Sequence, residues 1–403
     1  MTEHTASPSL LRGRVVTPST AIPDGVVVIE GERLAWVGPA ERLPAGLTAP
    51  APSDLTLLPG LVDLHCHGGG GTSFPDAGTG AEVARAADEH LRHGTTTLVA
   101  SLVTAPADVL LARTALLADA ADAGVVAGIH LEGPFLSADR CGAQNPADML
   151  AGDPALVRSI AHAARGHLVT MTVAPEVDGA HDVLEALVEA GALPSIGHTD
   201  ASAEQVDAAA DRTFDLLAAS DAARSERPTA THLFNGMRPV HHRDPGPVTA
   251  CLAAAARGEL VVELVADGTH LAAGTVRAVF DLLGADSIAL VTDAMAAAGM
   301  PDGDYQLGPM AVRVADGVAR IVTEDGHAGA IAGGTAHLLD VLRFVVTHGV
   351  PLVEAVRAAA TTPATVLGRR DVGALAAGRR ADVLVVDAAL QPVRVLRAGR
   401  QVG

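Results

Sequence analysis

The stretch Leu61-Val-Asp-Leu-His-Cys-His67 decides the fold, because it couples a short apolar run to two histidines at its end. In an extended segment, residues i and i+2 point to the same side, so His65 and His67 project together and can chelate one metal ion. This run is the first of eight that are typical of strands. The others cover residues 95–99, 125–131, 168–173, 194–197, 229–233, 260–265 and 288–291.

Alanine-rich stretches typical of helices separate these strands. They cover residues 82–92, 108–121, 182–190, 203–210 and 272–283, and two more, 335–347 and 351–360, follow the eighth strand. Alternating strands and helices predict a parallel sheet with right-handed crossovers, and eight such units close into a barrel. We therefore predict an α/β fold built on a (β/α)8 TIM barrel. An open doubly wound sheet is the alternative, but no glycine-rich phosphate fingerprint follows the first strand.

Both ends of the chain carry short β-type runs instead. Such runs cover residues 11–16, 26–30 and 33–37 near the start, and 382–387 and 392–396 near the end. Turn signals such as Pro23-Asp24-Gly25 separate them. We predict that residues 1–55 and 371–403 meet in one small, discontinuous β-sandwich domain, and that residues 56–370 form the barrel.

Charge and composition limit the partners and the cellular compartment. The net charge of −19 argues against nucleic acid and against an anionic membrane surface. The sequence has no apolar run long enough for a transmembrane helix, and its start, MTEHTASPSL, lacks the pattern of a secretory signal. Three cysteines, Cys66, Cys141 and Cys251, are too sparse for a disulfide framework. We expect a reduced, cytoplasmic protein.

The sequence contains no lysine, so every one of its 28 basic side chains is an arginine. This excludes a Schiff-base lysine, a Walker-type phosphate lysine and a carbamylated lysine that bridges two metals. The catalytic chemistry therefore belongs to histidine, aspartate, glutamate or cysteine.

Polar groups recur where other predicted strands end. Glu132 follows the third strand, His198 the fifth, His232 the sixth and Asp293 the eighth. Each alone is more often a loop carboxylate, a core histidine or a helix cap. In a barrel, however, the carboxyl ends of all strands meet at one face, where active sites lie. Together with the histidine pair of the first strand they predict a metal site, and imidazole with carboxylate suits zinc or another divalent first-row ion.

The motifs at these positions carry a family resemblance. They read HLEGPF (130–135), GHT (197–199), THLFNGM (231–237), HHRDPG (241–246), ADGTH (266–270) and VTDAM (291–295). With these motifs and the closing GRRADVLVVD (378–387), the chain resembles, over essentially its whole length, the N-acetylglucosamine-6-phosphate deacetylases of the amidohydrolase superfamily. In that family the glutamate of HLEGPF replaces the bridging lysine. HLEGPF and HLFN are specific, whereas HxH and VTDA occur across the superfamily.

The resemblance implies a divalent metal centre with one or two ions per chain. Zinc is favoured, and iron, manganese, cobalt and cadmium are alternatives. The implied metal ligands are His65, His67, Glu132, His198, His232 and Asp293. If two ions bind, the histidines of the first strand would hold the first ion, with Asp293 close by. The histidines of the fifth and sixth strands would hold the second. Glu132 would bridge the two ions or bind the second. A single ion would use Glu132, His198 and His232.

The resemblance also implies the reaction, hydrolysis of the acetyl amide of N-acetyl-D-glucosamine 6-phosphate to D-glucosamine 6-phosphate and acetate. A metal ion lowers the pKa of its bound water from about 15.7 towards about 7. Asp293 would be the general base that takes the water proton, and then the general acid that gives it to the departing amine. Loss of this group should cost at least the roughly 10²–10⁴-fold typical of general acid–base catalysis.

The same motifs imply a set of substrate contacts. These are Ala143, Gln144, Asn235, Gly236, His242, Arg243, His270, Ala332 and Gly333. Arg243 falls where the family places a phosphate-contacting arginine, and a guanidinium fork suits phosphate. Two positions depart from the family pattern, since Gln144 stands where many members have histidine and Gly236 where alanine is more usual. The first departure bears on substrate detail more than on reaction type.

Three other functions stay open at this point. The first is deacetylation of the galactosamine isomer, which differs only at one hydroxyl. The second is another N-acyl or cyclic-amide hydrolase, although dihydroorotases and allantoinases normally use the bridging lysine that this chain lacks. The third is an inactive barrel that acts as a binding protein, against which the complete ligand set speaks. The resemblance also implies a homodimer whose phosphate site can borrow residues across the interface.

Overall fold

A computed structural model describes residues 8–323 and 325–403 of the protein. Its strands are β1 (Ser9–Val16), β2 (Ala21–Glu30), β3 (Arg33–Pro39), β4 (Thr56–Pro59), β5 (Leu61–Cys66), β6 (Gly68–Gly69), β7 (Thr72–Ser73), β8 (Thr95–Leu102), β9 (Gly128–Glu132), β10 (Leu168–Val173), β11 (Leu193–Ile196), β12 (Thr229–Ala230), β13 (Val261–Leu264), β14 (Ile288–Leu290), β15 (Gly303–Leu307), β16 (Met310–Ala315), β17 (Val318–Val322), β18 (Ala328–Ile331), β19 (Val383–Val386), β20 (Pro392–Arg397) and β21 (Arg400–Gln401).

The helices follow the strands in regular alternation. They are α1 (Gly80–Arg92), α2 (Ala107–Asp122), α3 (Pro154–Ala164), α4 (Ala180–Glu189), α5 (Ala203–Ala218), α6 (Gly246–Ala256), α7 (Ala273–Leu283), α8 (Leu338–Thr347), α9 (Leu352–Val356) and α10 (Thr362–Val366). Short 3-10 helices cover Ala40–Arg42, Ala138–Arg140, Pro146–Asp148 and Ala285–Ser287, and a π-helical turn, Arg357–Thr361, joins α9 to α10. None of the helices described here has the length and apolar character needed to cross a membrane.

Eight parallel strands form the barrel, in the order β5-β8-β9-β10-β11-β12-β13-β14. The sheet closes where the chain after β14 meets β5. There the N–H of Asp293 donates to the carbonyl of His65 (2.9 Å), and the N–H of His67 donates to the carbonyl of Ala294 (2.7 Å). The predicted barrel is confirmed, and each predicted strand overlaps an observed one. The closure also places the ends of the first and last strands side by side.

Side chains alternate between the two sides of β5, so that apolar packing residues lie on one side and polar residues on the other. Val62 and Leu64 belong to a buried aliphatic cluster that includes Val366 of α10. Burying an aliphatic side chain of this size contributes about 1.5–3 kcal/mol, so this face fixes the strand against the helix layer. The intervening residues, among them Asp63 and His65, point to the opposite side of the strand. They are fully buried and polar, and they lie at the centre of the site described below.

The two chain ends build one seven-stranded sheet, in the order β3-β2-β1-β4-β19-β20-β21. The edge strand β3 curls back towards β19: the N–H of Leu34 donates to the carbonyl of Arg379, and the N–H of Gly378 donates to the carbonyl of Leu34 (both 2.8 Å). The predicted β-rich terminal domain is confirmed. Strand β4 belongs to its sheet, although it lies beyond residue 55, because it pairs with β1 and β19. The exact domain boundaries stay a prediction, and residues 1–7 lie outside the described residues.

The antiparallel sheet of β15 to β18 is an element that the sequence analysis does not predict. It is inserted between β14 and α8. Its inner face packs Leu307 and Val312 into a small cluster with Val103 and Met295, which follow barrel strands β8 and β14. The insertion therefore covers one side of the barrel face on which the predicted ligands lie.

Candidate active site

The six predicted metal ligands are all buried at the carboxyl ends of barrel strands: His65 in β5, His67 just after it, Glu132 at the end of β9, and His198, His232 and Asp293 after β11, β12 and β14. The last three have positive φ angles of 49°, 28° and 48°. Such a backbone costs of order 1–3 kcal/mol per non-glycine residue and clusters at functional sites. The strands thus end in strained turns that aim these side chains at a common centre.

The first triad consists of His65, His67 and Asp293. The Nε2 atoms of the two histidines lie 3.0 Å apart. Oδ1 of Asp293 lies 3.4 Å from Nε2 of His65 and 3.3 Å from Nε2 of His67. Alternation in β5 brings the histidines together, and barrel closure adds the aspartate.

The second triad consists of Glu132, His198 and His232. Oε1 of Glu132 lies 2.7 Å from Nε2 of each histidine, and the two nitrogens lie 3.1 Å apart. The other carboxylate oxygen, Oε2, lies 3.2 Å from Nε2 of His67 in the first triad. Glu132 therefore links the two triads, with one oxygen turned to each.

The donor atoms of both triads fit a divalent metal ion. Four imidazole nitrogens and two carboxylates form the mixed set that zinc accepts. With zinc–nitrogen bonds of about 2.0–2.1 Å, tetrahedral neighbours lie about 3.3–3.4 Å apart. The observed nitrogen separations within the triads, 3.0 and 3.1 Å, are close to this spacing.

The electrostatics of the cluster also favour a cation. Burial by itself would raise the pKa of Glu132 and of Asp293, but the facing histidines hold both below their usual range. Burial lowers the pKa of His67, yet hydrogen bonds to Asp293 and Glu132 raise it to about 10. Both carboxylates are thus ionised at neutral pH, and a bound metal ion would replace the proton on His67.

Two buried carboxylates, Asp63 and Glu263, contact the predicted ligands and are absent from the predicted site. Oε2 of Glu263, in β13, lies 3.1 Å from Nδ1 of His65 and accepts from the N–H of His232 (3.3 Å). Asp63 accepts from the hydroxyl of Thr292 (2.6 Å), and burial raises its pKa to about 7. An acidic residue inside an otherwise apolar strand is the sequence signal that could have identified both.

Gln144 connects the loop after β9 to the cluster. Its Nε2 donates to Oε2 of Glu132 (2.6 Å), and its Oε1 accepts from the N–H of Thr104 (2.8 Å). Gly142 and Gly236 approach the ring of His198 from this loop and from the loop after β12. A Cβ on Gly236, which has a φ of 58°, would lie 2.8 Å from Nδ1 of His198. These contacts shape the wall of the site around His198.

A cavity of about 320 Å³ opens beside the cluster. Its lining contains most of the predicted substrate contacts, namely Ala143, Gln144, Asn235, Gly236, His270 and Gly333. Leu307, Ala330 and Ile331 of the inserted sheet also line it, and Phe234 completes the apolar part. These apolar contributors could not be identified from the sequence, because most of them belong to the inserted sheet. The volume suits a small molecule rather than a polymer.

Three predicted contacts lie elsewhere. His242 and Arg243 are exposed and do not line the cavity, within the part of the chain that the structure describes. Ala332 is fully buried in the core of the inserted sheet. Within the described residues, a single chain therefore does not bring His242 and Arg243 into the cavity beside the predicted ligands.

His270 is the cationic candidate that does line the cavity. Its Nδ1 lies 2.8 Å from Oδ2 of Asp267. Burial lowers its pKa, but the hydrogen bond and the charge of Asp267 together raise that pKa above the ordinary value. An imidazole on the wall, hydrogen-bonded to a carboxylate, suits a hydroxyl-bearing or anionic ligand.

Known proteins resemble this chain over most of its length. A model of the amidohydrolase family matches residues 56–402. The chain is 32% identical to N-acetylglucosamine-6-phosphate deacetylase from Lysinibacillus sphaericus, over 85% of this chain and 84% of the relative. It is 32% identical to the Homo sapiens N-acetylglucosamine-6-phosphate deacetylase, over 83% of this chain and 80% of the relative.

Solved structures extend the likeness to three dimensions. A mutant N-acetyl-D-glucosamine-6-phosphate deacetylase from Mycobacterium smegmatis, in complex with N-acetyl-D-glucosamine-6-phosphate, is 40% identical, with a TM-score of 0.89 over 98% of this chain and 100% of that chain. The corresponding enzyme from Thermotoga maritima is 26% identical, with a TM-score of 0.82 over 98% and 99%. The chain therefore belongs to the amidohydrolase family, among the N-acetylglucosamine-6-phosphate deacetylases.

Proposed function

We propose that the protein hydrolyses the acetyl amide of N-acetyl-D-glucosamine 6-phosphate to D-glucosamine 6-phosphate and acetate. The observation that carries this proposal is the Glu132 carboxylate, which joins the two triads of predicted ligands next to a small cavity. Relatives with this deacetylase name match the chain over most of its length. The lysine-free ligand set disfavours the cyclic-amide hydrolases, and the complete ligand set disfavours an inactive barrel.

The proposed metal centre uses both triads. One ion would be held by His65 and His67, and the other by His198 and His232, with Glu132 between them; a single ion on the second triad is the alternative. Zinc fits the donor set best. When bound, such an ion lowers the pKa of water and polarises the acetyl carbonyl.

Asp293 is the proposed proton carrier. Its pKa lies below the usual range, because His65 and His67 offset the effect of burial, so it is ionised and able to accept a proton at neutral pH. It would take the proton of the attacking water at its carboxylate and then pass it to the amide nitrogen. That second transfer is needed because an amine anion is a very poor leaving group.

The proposed substrate contacts divide between the two ends of the sugar. His270, Asn235 and Gly236 lie on the cavity wall and offer an imidazole, an amide and a backbone N–H for the hydroxyl groups. Gln144 lies against Glu132 and would orient that carboxylate while it faces the acetyl group. Arg243 would contact the phosphate, either after movement of its loop or from a second copy of the chain.

We further propose a homodimer in the cytoplasm. The free state of Cys66, Cys141 and Cys251 fits a reducing compartment. The exposed position of Arg243, away from the cavity of its own chain, supports a phosphate site completed across a subunit interface.

The direct test is acetate release by the zinc-loaded protein. N-acetylglucosamine 6-phosphate is compared with unphosphorylated N-acetylglucosamine and with N-acetylgalactosamine 6-phosphate. We expect turnover of the first substrate, with a far lower kcat/KM for the sugar without phosphate. Faster turnover of the galactosamine isomer would show that the substrate is the galactosamine sugar, while the proposed deacetylation would still hold. No acetate from any of the three, with metal bound, would contradict the proposed function.

A further inference from the structure

A second cavity, of about 800 Å³, lies away from the metal cluster. The chain between Ala223 and Arg227 leads into β12, and Gly258 precedes β13, so this cavity lies at the amino ends of the barrel strands. The predicted metal ligands follow the carboxyl ends. The two cavities are therefore at opposite faces of the barrel.

The lining of the second cavity is strongly basic. Among the residues that the structure describes, it contains five arginines, Arg224, Arg227, Arg369, Arg370 and Arg379, and a single acidic residue, Glu226. The chain as a whole carries a net charge of −19, with only 28 basic side chains. A concentration of guanidinium groups in one concave surface runs against this overall charge, and it creates a local positive potential.

Hydrogen bonds hold several of these guanidinium groups in place without neutralising them. Arg224 donates to the carbonyls of Leu168 (2.9 Å) and Gly191 (3.0 Å), and Arg227 donates to the carbonyl of Asp286 (3.0 Å). Burial lowers the pKa of Arg224, because its charge is partly removed from water with no carboxylate beside it. A partly buried charge without a counter-ion costs free energy that a bound anion would recover.

The remaining arginines differ in their pairing. Arg369 forms a two-point ion pair with Asp371, with both nitrogen–oxygen distances at 2.7 Å. Arg379 donates to the carbonyl of Val372. Within the described residues, the exposed side chain of Arg370 has no hydrogen bond or ion pair. After the Arg369 pair is discounted, four guanidinium groups remain, and the carboxylates that act on Arg227 are those of Asp286 and the exposed Glu226.

We propose that this arginine pocket binds a phosphorylated small molecule at a site separate from the metal cluster. Guanidinium forks match the geometry of phosphate oxygens. The cavity is more than twice as large as the one beside the metal ligands, which leaves room for an organic group attached to the phosphate. Phe214 and Thr365 also line it and offer an aromatic surface and a hydroxyl for that group.

The test uses the zinc-loaded protein at constant ionic strength, with inorganic phosphate and a nucleoside monophosphate as probes. Hydrogen–deuterium exchange locates binding, and calorimetric titration gives its affinity. We expect protection of residues 222–228 and 364–372 by at least one probe. Tighter binding of the nucleotide would identify an organic phosphate as the ligand class, whereas equal affinity would show that the phosphate group alone is recognised.

Charge variants distinguish this pocket from phosphate binding elsewhere. Arg370→Glu removes no hydrogen bond of the described structure, so it should fold, and Arg227→Gln keeps a donor but removes the charge. Each should weaken binding by about tenfold or more, the equivalent of one charged hydrogen bond. Arg394→Glu, an exposed arginine on β20 outside the pocket, is the matched control and should not change the affinity. The proposal is wrong if neither probe protects these segments, or if both pocket variants bind as the wild type does.

Discussion

Oε2 of Glu263 lies 3.1 Å from Nδ1 of His65, on the far side of the ring from the Nε2 atom that faces the metal cluster. The same carboxylate oxygen accepts from the backbone N–H of His232 (3.3 Å), a predicted ligand of the second triad. One buried side chain in β13 thus orients residues of both triads. A carboxylate behind a ligating histidine fixes the tautomer that presents Nε2 as the donor and makes the ring more basic.

Glu263→Gln should weaken metal binding without unfolding the protein. The amide keeps the size of the side chain but loses the charge that fixes the His65 ring. Loss of such a supporting partner typically costs about 10–100-fold in metal affinity. Competition with a chromophoric zinc chelator measures the affinity, and Glu189→Gln, an exposed position on α4, is the control. Equal zinc affinity in both variants would show that Glu263 has no part in the metal site.

His67→Gln should reduce the metal content by one ion per chain. The wild-type protein should hold two ions, because Glu132 places one oxygen at each triad. The variant weakens the first triad and leaves Glu132, His198 and His232 unchanged. Elemental analysis after removal of loosely bound zinc gives the count. A wild-type content of one ion would favour the single-ion alternative on the second triad.

His90→Gln should reduce the loss of stability in acid. Burial lowers the pKa of His90 to about 4, although its ring donates to the carbonyl of Gly68. In the unfolded chain the imidazole of His90 becomes protonated below a pH of about 6.5. In the folded protein it becomes protonated only below a pH of about 4. Stability therefore falls as the pH falls through this window, by about 3 kcal/mol for this one group.

The measurement is the free energy of unfolding in urea at several pH values between 7 and about 4. As the pH falls, the free energy of unfolding of the variant should increase relative to that of the wild type. Glutamine can still donate to Gly68, so the comparison isolates the charge. A difference that does not depend on pH would contradict the assignment.

Arg243→Ala should raise the KM for the phosphorylated sugar about tenfold or more, since it removes a charged hydrogen bond to phosphate. The metal content should not change, because the residue is exposed and lies outside the cavity. Hydrolysis of the unphosphorylated sugar serves as the internal control and should be unaffected. An unchanged KM would remove Arg243 from the phosphate site, and His270 would be the next candidate.

The predicted metal ligands could be brought together from the sequence because barrel geometry converts a one-dimensional pattern into a spatial one. His65 and His67 share a side of β5 by alternation, and Glu132 meets His198 because parallel strands end at one face. No knowledge of loop conformation was needed for these residues. The barrel and the β-rich terminal domain were predictable for the same reason, since each depends on regular periodicity.

The supporting residues depend on contacts that the pattern does not contain. In the sequence, Glu263 is a single acidic residue in an apolar strand. Its partner His65 is separated from it by 198 residues along the chain. Gln144 meets Glu132 only because the loop after β9 folds back over the cluster. The sheet of β15 to β18 consists of short strands that pair only with one another, so its position over the barrel is set by packing on Val103. Arg243, finally, was placed by resemblance, and its own chain leaves it exposed.

The turnover of the Asp293→Asn variant tests most directly whether Asp293 moves the proton in a metal-dependent amide hydrolysis, as proposed above. The variant is loaded with zinc, its metal content is checked, and acetate release from N-acetylglucosamine 6-phosphate is compared with that of the wild type at equal occupancy. We predict that kcat falls by at least about 10²–10⁴-fold, the range expected for loss of a general acid–base group. A kcat within a fewfold of the wild-type value, with metal fully bound, would contradict the account.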